Sequence, residues 1–234
     1  MNKKKIEILG KKFNKPISCL TAYSAPIAKI LDGNIDIVLI GDSLGTTLYG
    51  MKNSRKVTMD MMKYHGRSVT KNIDRSITVI DMPYKTYRNK FEALRNGKKL
   101  LDYTNANMLK LEINHNKINI VKYLSEKNFN IIAHIGVTPQ SFIDFKKIKS
   151  VGKTTNESEK LIQLSLDAER AGAKCILLEC VNQKTAKKIT SIVSIPTIGI
   201  GSSKYCDGQV LVFDDIINID NQKHSPKFLK KYFN

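Results

Sequence analysis

Tryptophan is absent from this chain of 234 residues, arginine stands at only six positions, and 21 acidic residues face 39 basic ones. The formal charge of +18 and the pI near 9.7 invite a nucleic-acid reading. Arginine, however, is the usual bidentate reader of bases and phosphates, and the excess here is lysine. The charge is therefore read as lysines on solvated helix faces, with no nucleic acid as partner. A positive field also draws in small anionic substrates, an effect on association rate more than on fold.

No apolar run approaches the roughly 20 residues that cross a bilayer. The longest candidate, residues 35–40, is closed by Gly41 and Asp42. The basic start MNKKKIEILGKKF lacks the apolar core of a signal peptide, and Glu7 interrupts it. The expectation is a cytoplasmic protein with no membrane partner. Cys19, Cys175, Cys180 and Cys206 form no Cys-x-x-Cys pair and read as reduced, mostly buried thiols. There is no Walker motif, zinc-ligand spacing or internal repeat. The Gly199-x-Gly201 pair comes late in the chain and lacks the third glycine of a dinucleotide fingerprint.

What the chain does have is alternation. Short apolar, β-branched runs at 17–23, 35–40, 77–80, 108–111, 129–133, 175–178, 197–200 and 210–213 are separated by segments of helical spacing. Among these are 58–73, 118–128 and 157–172, the last stopped by Gly172. Strand, helix, strand throughout implies parallel pairing with crossover helices, and strands that are apolar along their whole length fit a sheet covered on both faces. Eight such units predict a (β/α)8 TIM barrel of class α/β, one catalytic domain over 1–234 with a short C-terminal tail. A doubly wound open sheet is the structural alternative.

The runs end on ionisable groups: Asp42 after VLIG, Asp81 after TVI, Glu112 after LKL, His134 after IIA and Glu179 after ILL. In a barrel all C-terminal strand ends open on one face, where active sites lie. Several carboxylates in one mouth repel unless a cation offsets them, and oxygen donors without clustered Cys or paired His favour Mg²⁺. Lys110 and Glu112, two apart on one strand, share a face, which puts the ammonium beneath the carboxylate. In the turn GDSLG, glycines free the backbone for a close approach to a ligand and Ser43 can donate a hydrogen bond. His134 is a possible ligand contact.

With TAYSAPIAKI at 21–30, GDSLGTTLYG at 41–50, VTMDMMKYH at 57–65, DMPY at 81–84, NMLKLE at 107–112, HIGVTPQS at 134–141, AERAGAKCILLECV at 168–181, IPTIGIGSSKYCDGQVLV at 195–212 and PKF at 226–228, the chain resembles the ketopantoate hydroxymethyltransferase family. The resemblance implies a (β/α)8 barrel assembled as a homodecamer, a Mg²⁺ requirement, and one-carbon transfer from 5,10-methylenetetrahydrofolate to 3-methyl-2-oxobutanoate in pantothenate biosynthesis. It further implies Asp42, Asp81 and Glu112 around the metal, Asp42, Ser43, Asp81 and Lys110 at the keto acid, and Glu179 as the catalytic base. The chain departs from the family pattern at Lys153, where an arginine is usual, and at GSSKYCDGQ, which has fewer glycines. The rival enzyme class is a metal-dependent lyase or mutase of the phosphoenolpyruvate mutase and isocitrate lyase type. Its Lys-Lys-Cys-Gly type segment is missing here.

Overall fold

The computed structural model describes residues 15–143 and 149–217. Eight strands, β1 (Ile17–Thr21), β2 (Ile37–Ile40), β3 (Ile77–Asp81), β4 (Met108–Glu112), β5 (Ile131–Gly136), β6 (Cys175–Glu179), β7 (Thr197–Ile200) and β8 (Gly208–Leu211), pair in parallel and in chain order. β1 also pairs with β8, which closes the barrel. The outer helices are α1 (Ala25–Leu31), α2 (Leu44–Thr47), α3 (Met59–Thr70), α4 (Lys90–Thr104), α5 (Ile118–Glu126), α6 (Thr155–Arg170), α7 (Gln183–Ile192) and α8 (Phe213–Ile216). The family segment PKF at 226–228 and the expected C-terminal tail lie outside the described residues.

Strand periodicity sorts the core into two layers. Ile17, Cys19, Ile37, Leu39, Ile77, Val79, Met108, Ile132, Cys175, Leu177, Ile198 and Val210 point inward and fill the barrel. Alternate residues such as Val38, Ile80, Leu109, Ala133, Ile176 and Leu178 point outward and pack under the helices. Both faces are dry, which is why the strands read as unbroken apolar runs. Local caps place the longer helices. Asn89 accepts from the backbone N–H of Phe91 and Glu92 to start α4, and Thr154 with Glu157 forms a capping box on α6. Lys153 sits just before that box, and its backbone N–H donates to Glu157 at 2.9 Å.

Beyond shifts of a few residues at other element ends, four details differ from the sequence expectation. First, β7 and β8 are joined by residues 201–207 with no helix, because seven residues are too few for a crossover helix and Asp207 turns back to bond Thr197. Second, β5 continues past His134 to Gly136, since Glu112 and Leu177 flank His134 in the ladder and a polar side chain inside a barrel does not end a strand. Third, β8 begins at Gly208, not 210, where pairing with Ile17 and Ile198 sets its register. Fourth, Gly45 makes room for Val57 and Met51 and not for a ligand, because a Cβ there would press on both side chains.

Candidate active site

Asp81, Glu112 and Glu179 are the last residues of β3, β4 and β6, and Asp42 follows β2 by two positions. Asp81, Lys110, Glu112, His134 and Glu179 share the inward parity of their strands, so residues far apart in sequence collapse into one mouth. Asp42, Asp81, Lys110, Glu112 and His134 are all buried, while Glu179 keeps part of its surface exposed.

Each acid is held differently. Lys110 Nζ donates to Asp81 Oδ1 at 2.7 Å, and the backbone N–H of Asp42 donates to Asp81 Oδ2 at 3.0 Å. Asp42 Oδ2 accepts from Gln140 Nε2 at 2.8 Å. Both Glu112 oxygens accept from the Gln140 backbone N–H at 3.1 Å. His134 lies between two acids, Nε2 at 3.3 Å from Glu179 Oε2 and Nδ1 at 4.0 Å from Glu112 Oε1. Neither ring nitrogen makes an aligned hydrogen bond among the described residues. Ser43, just before the short α2, makes no side-chain cap there and shares a 2.7 Å hydrogen bond with the Tyr23 hydroxyl.

Electrostatics follow from this crowding. Burial, then the Asp81 carboxylate, pushes Asp42 up to about 6. Burial, then Asp42, raises Glu112 well above the usual carboxylate range. Burial opposes the Lys110 ammonium, yet Asp81 and Asp42 outweigh it and hold the lysine above its ordinary value. Three buried acids thus surround one buried ammonium, a surplus of carboxyl groups over what the lysine can offset.

A hard divalent cation fits that surplus and that all-oxygen donor set. No three His, Cys, Asp or Glu side chains among the described residues converge tightly enough to hold a metal by themselves. Mg²⁺ commonly takes one or two carboxylates and completes its shell with water and substrate oxygens, so two acids and a chelating substrate suffice.

Backbone strain sits at the same end. Gly136 has φ +103, and a Cβ there would strike the Glu179 carbonyl, so only glycine lets β5 approach β6 closely enough for Val137 N–H to bond that carbonyl. Cys180, directly after Glu179, also has a left-handed φ of 50. Burial, then the Glu179 charge, pushes its thiol up to about 11, which argues against a nucleophilic role. The other three cysteines are buried, and all four are free.

Sequence reasoning missed Gln140, Tyr87, Tyr23 and Lys117. The Tyr87 hydroxyl donates to Gln140 Oε1 at 2.6 Å, and Lys117 Nζ lies 4.3 Å from the Tyr87 ring centre while donating to the Glu112 carbonyl at 3.1 Å. The available signal was the Pro-Gln pair in the β5–α6 loop, a neutral amide one turn beyond a strand whose neighbours end in acids.

A closed parallel barrel with buried acids and a lysine gathered at the C-terminal ends of its strands defines a (β/α)8-barrel enzyme. A family model described as ketopantoate hydroxymethyltransferase matches residues 3–234. A Pelagibacter ubique protein named 3-methyl-2-oxobutanoate hydroxymethyltransferase is 45% identical over 234 residues, covering 100% of this chain and 89% of the relative. One of the same name from Rhizobium etli is 38% identical over 226 residues, covering 96% and 82%. The chain belongs to the ketopantoate hydroxymethyltransferase family and is a transferase.

Solved structures add the fold. An oxaloacetate acetylhydrolase superposes with TM-score 0.66 at 11% identity over 97% of this chain and 90% of that one. A 2,3-dimethylmalate lyase, described as a PEP mutase/isocitrate lyase superfamily member, gives 0.65 at 11% over 89% and 78%. These identities speak for barrel architecture alone. No helix among the described residues is long and apolar enough to cross a membrane.

Proposed function

We propose that this transferase moves a one-carbon unit from 5,10-methylenetetrahydrofolate to 3-methyl-2-oxobutanoate, giving 2-dehydropantoate (ketopantoate) for pantothenate biosynthesis, with Mg²⁺ as its metal. The observation that supports this reading is the inward-facing set of Asp42, Asp81, Lys110 and Glu112 beside Glu179 in one mouth. Asp42, Asp81 and Glu112 would surround the ion, two of them bonded to it directly and the third beside it. When bound, Mg²⁺ supplies Lewis-acid polarisation of the keto group and charge for the oxyanion that develops there.

The chain's own groups do the rest. Lys110 and the Ser43 hydroxyl hold the keto acid, the ammonium being already desolvated and anchored on Asp81. Glu179, partly exposed and next to the unpartnered ring of His134, takes the proton from the carbon beside the keto group. His134 faces the same carboxylate and is a candidate contact for the bound acid. The carbon that lost its proton then attacks the methylene carbon carried by the folate. Forming that C–C bond breaks one C–N bond of the methylene bridge, water displaces the second and supplies the hydroxyl oxygen, and tetrahydrofolate leaves with the proton taken by Glu179 and one from water.

The test is deuterium exchange from solvent into the carbon next to the keto group of 3-methyl-2-oxobutanoate, followed by NMR. Exchange is expected with Mg²⁺, is lost without it, and slows on the order of 10²–10⁴ in Glu179→Gln. Near-native exchange in that variant would assign the base elsewhere, and no exchange in the Mg²⁺-loaded protein would overturn the reading.

A further inference from the structure

We infer that Gln140, steered by Tyr87, is a positioning residue that presents Asp42 and Glu112 to the metal, an inference that rests on the Mg²⁺ reading above. Gln140 lies in the β5–α6 loop and is buried, so every polar atom on it needs a partner or costs free energy. Each has one. Nε2 donates to Asp42 Oδ2 at 2.8 Å and to the Met82 carbonyl at 3.0 Å. Oε1 accepts from the Tyr87 hydroxyl at 2.6 Å, and the backbone N–H is shared between the two Glu112 oxygens. The amide can sit only one way round, because both partners of Nε2 are acceptors and the partner of Oε1 is the phenol.

One residue therefore sets the spacing of two acids, the side chain holding Asp42 and the backbone holding Glu112. Its donor is neutral, so Asp42 is oriented without its charge being cancelled. Lys110 does the opposite at Asp81, where an ammonium is committed to the carboxylate. Mg²⁺ demands near-octahedral geometry at about 2.0–2.1 Å, so small errors in carboxylate placement reach its affinity directly. The Tyr87 hydroxyl reaches the Asp42 carboxylate through the amide, while it also meets the backbone of Glu112 directly. Its ring is buried and pinned by Lys117 at 4.3 Å, which keeps the phenol aimed at Oε1.

MgCl₂ titrated calorimetrically into the wild-type protein, Gln140→Met, Tyr87→Phe and the double variant tests this, with thermal unfolding of each in EDTA alongside. Gln140→Met keeps the side-chain length and the backbone bond to Glu112, and its Mg²⁺ dissociation constant is expected to rise roughly tenfold or more. Tyr87→Phe removes one oxygen and is expected to weaken binding a few-fold. The double variant should bind little worse than Gln140→Met alone, since the phenol's side-chain hydrogen bond is to the amide. Tyr87→Phe carries the test by itself if Gln140→Met does not fold. Unchanged dissociation constants with lowered melting temperatures would reduce both residues to packing, and additive losses would detach Tyr87 from Gln140. Either result overturns the inference while leaving the Mg²⁺ reading intact. A wild-type protein that binds no Mg²⁺ overturns both.

Discussion

The two ends of this barrel use the same residue types to opposite effect. At the N-terminal end of the strands, polar side chains are fully met. Ser18 N–H and Oγ both donate to Asp36 Oδ2 at 2.8 Å, Thr78 N–H and Oγ1 donate to Asn107 Oδ1 at 2.8 and 3.0 Å, and Thr197 N–H and Oγ1 donate to Asp207 Oδ2 at the same distances. In each case the acceptor residue immediately precedes a strand and its own N–H returns a bond to the hydroxyl. Three strand pairs, β1–β2, β3–β4 and β7–β8, are stitched by one repeated device. At the C-terminal mouth, by contrast, three buried carboxylates share one ammonium, and a buried imidazole has no aligned partner. Saturated polar groups stabilise; under-compensated ones store binding potential for a cation and a substrate, at a cost in stability that the saturated end offsets.

Variants at each end can break that contrast. The largest effect is expected from Asp81→Asn, which strips the charged partner from buried Lys110. Stability should fall by about 3–5 kcal/mol and turnover should collapse with it, as read by denaturant unfolding and assay together. If unfolding is unchanged, the ion pair is not what keeps the ammonium buried. Asn107→Ala, at the opposite end, removes the acceptor for Thr78 N–H and Oγ1. It should cost about 1–3 kcal/mol by the same unfolding measurement while turnover per folded molecule stays at the wild-type level. A loss of turnover in folded protein would show that the two ends are coupled.

The smallest effect is in pH dependence, where the two ends should differ in sign. Asp42, pushed up to about 6, and Glu112, also raised, bind protons more tightly folded than unfolded. Their ionisation therefore costs stability as pH rises through the folded values, and metal-free protein should melt higher at about pH 5.5 than at about pH 7.5. Asp32 at the other end is the reverse. Burial opposes it, but the backbone N–H groups of Ser76 and Arg75, at 2.9 and 2.8 Å, hold its carboxyl below the usual value. That stabilisation is present above the ordinary carboxylate range near 4 and is lost as pH falls through the lower folded value. Asp42→Asn should shrink the upper arm of the melting curve against pH to the part Glu112 contributes and leave the acid arm in place. An upper arm of unchanged size in this variant would move the Asp42 share to another group.

Much of the mouth was legible because it is local in its grammar. Lys110 and Glu112 share a face through a period of two, and Asp81 and Glu179 close apolar runs that could only be short buried strands. His134 was misplaced as a strand end because a polar residue in an apolar run looks like a stop, whereas inside a barrel it is flanked by Glu112 and carries no such meaning. Gln140 left no trace in periodicity. Its partners Asp42, Met82 and Tyr87 lie 98, 58 and 53 positions away and meet it only once β2 to β5 are in register. The helix-free link from β7 to β8 escaped for the same reason, since the bond from Asp207 back to Thr197 exists only when those strands are side by side.

The sequence by itself determined the eight strands, the parallel barrel they imply and the identity of the acids at its mouth, because apolar run length, turn residues and alternation are properties of neighbours along a chain. The tertiary structure alone decided which carboxylate received the ammonium, which the neutral amide, and which polar groups were left open. Those choices are settled by strand register and barrel closure, where a shift of one residue would turn every inward side chain outward.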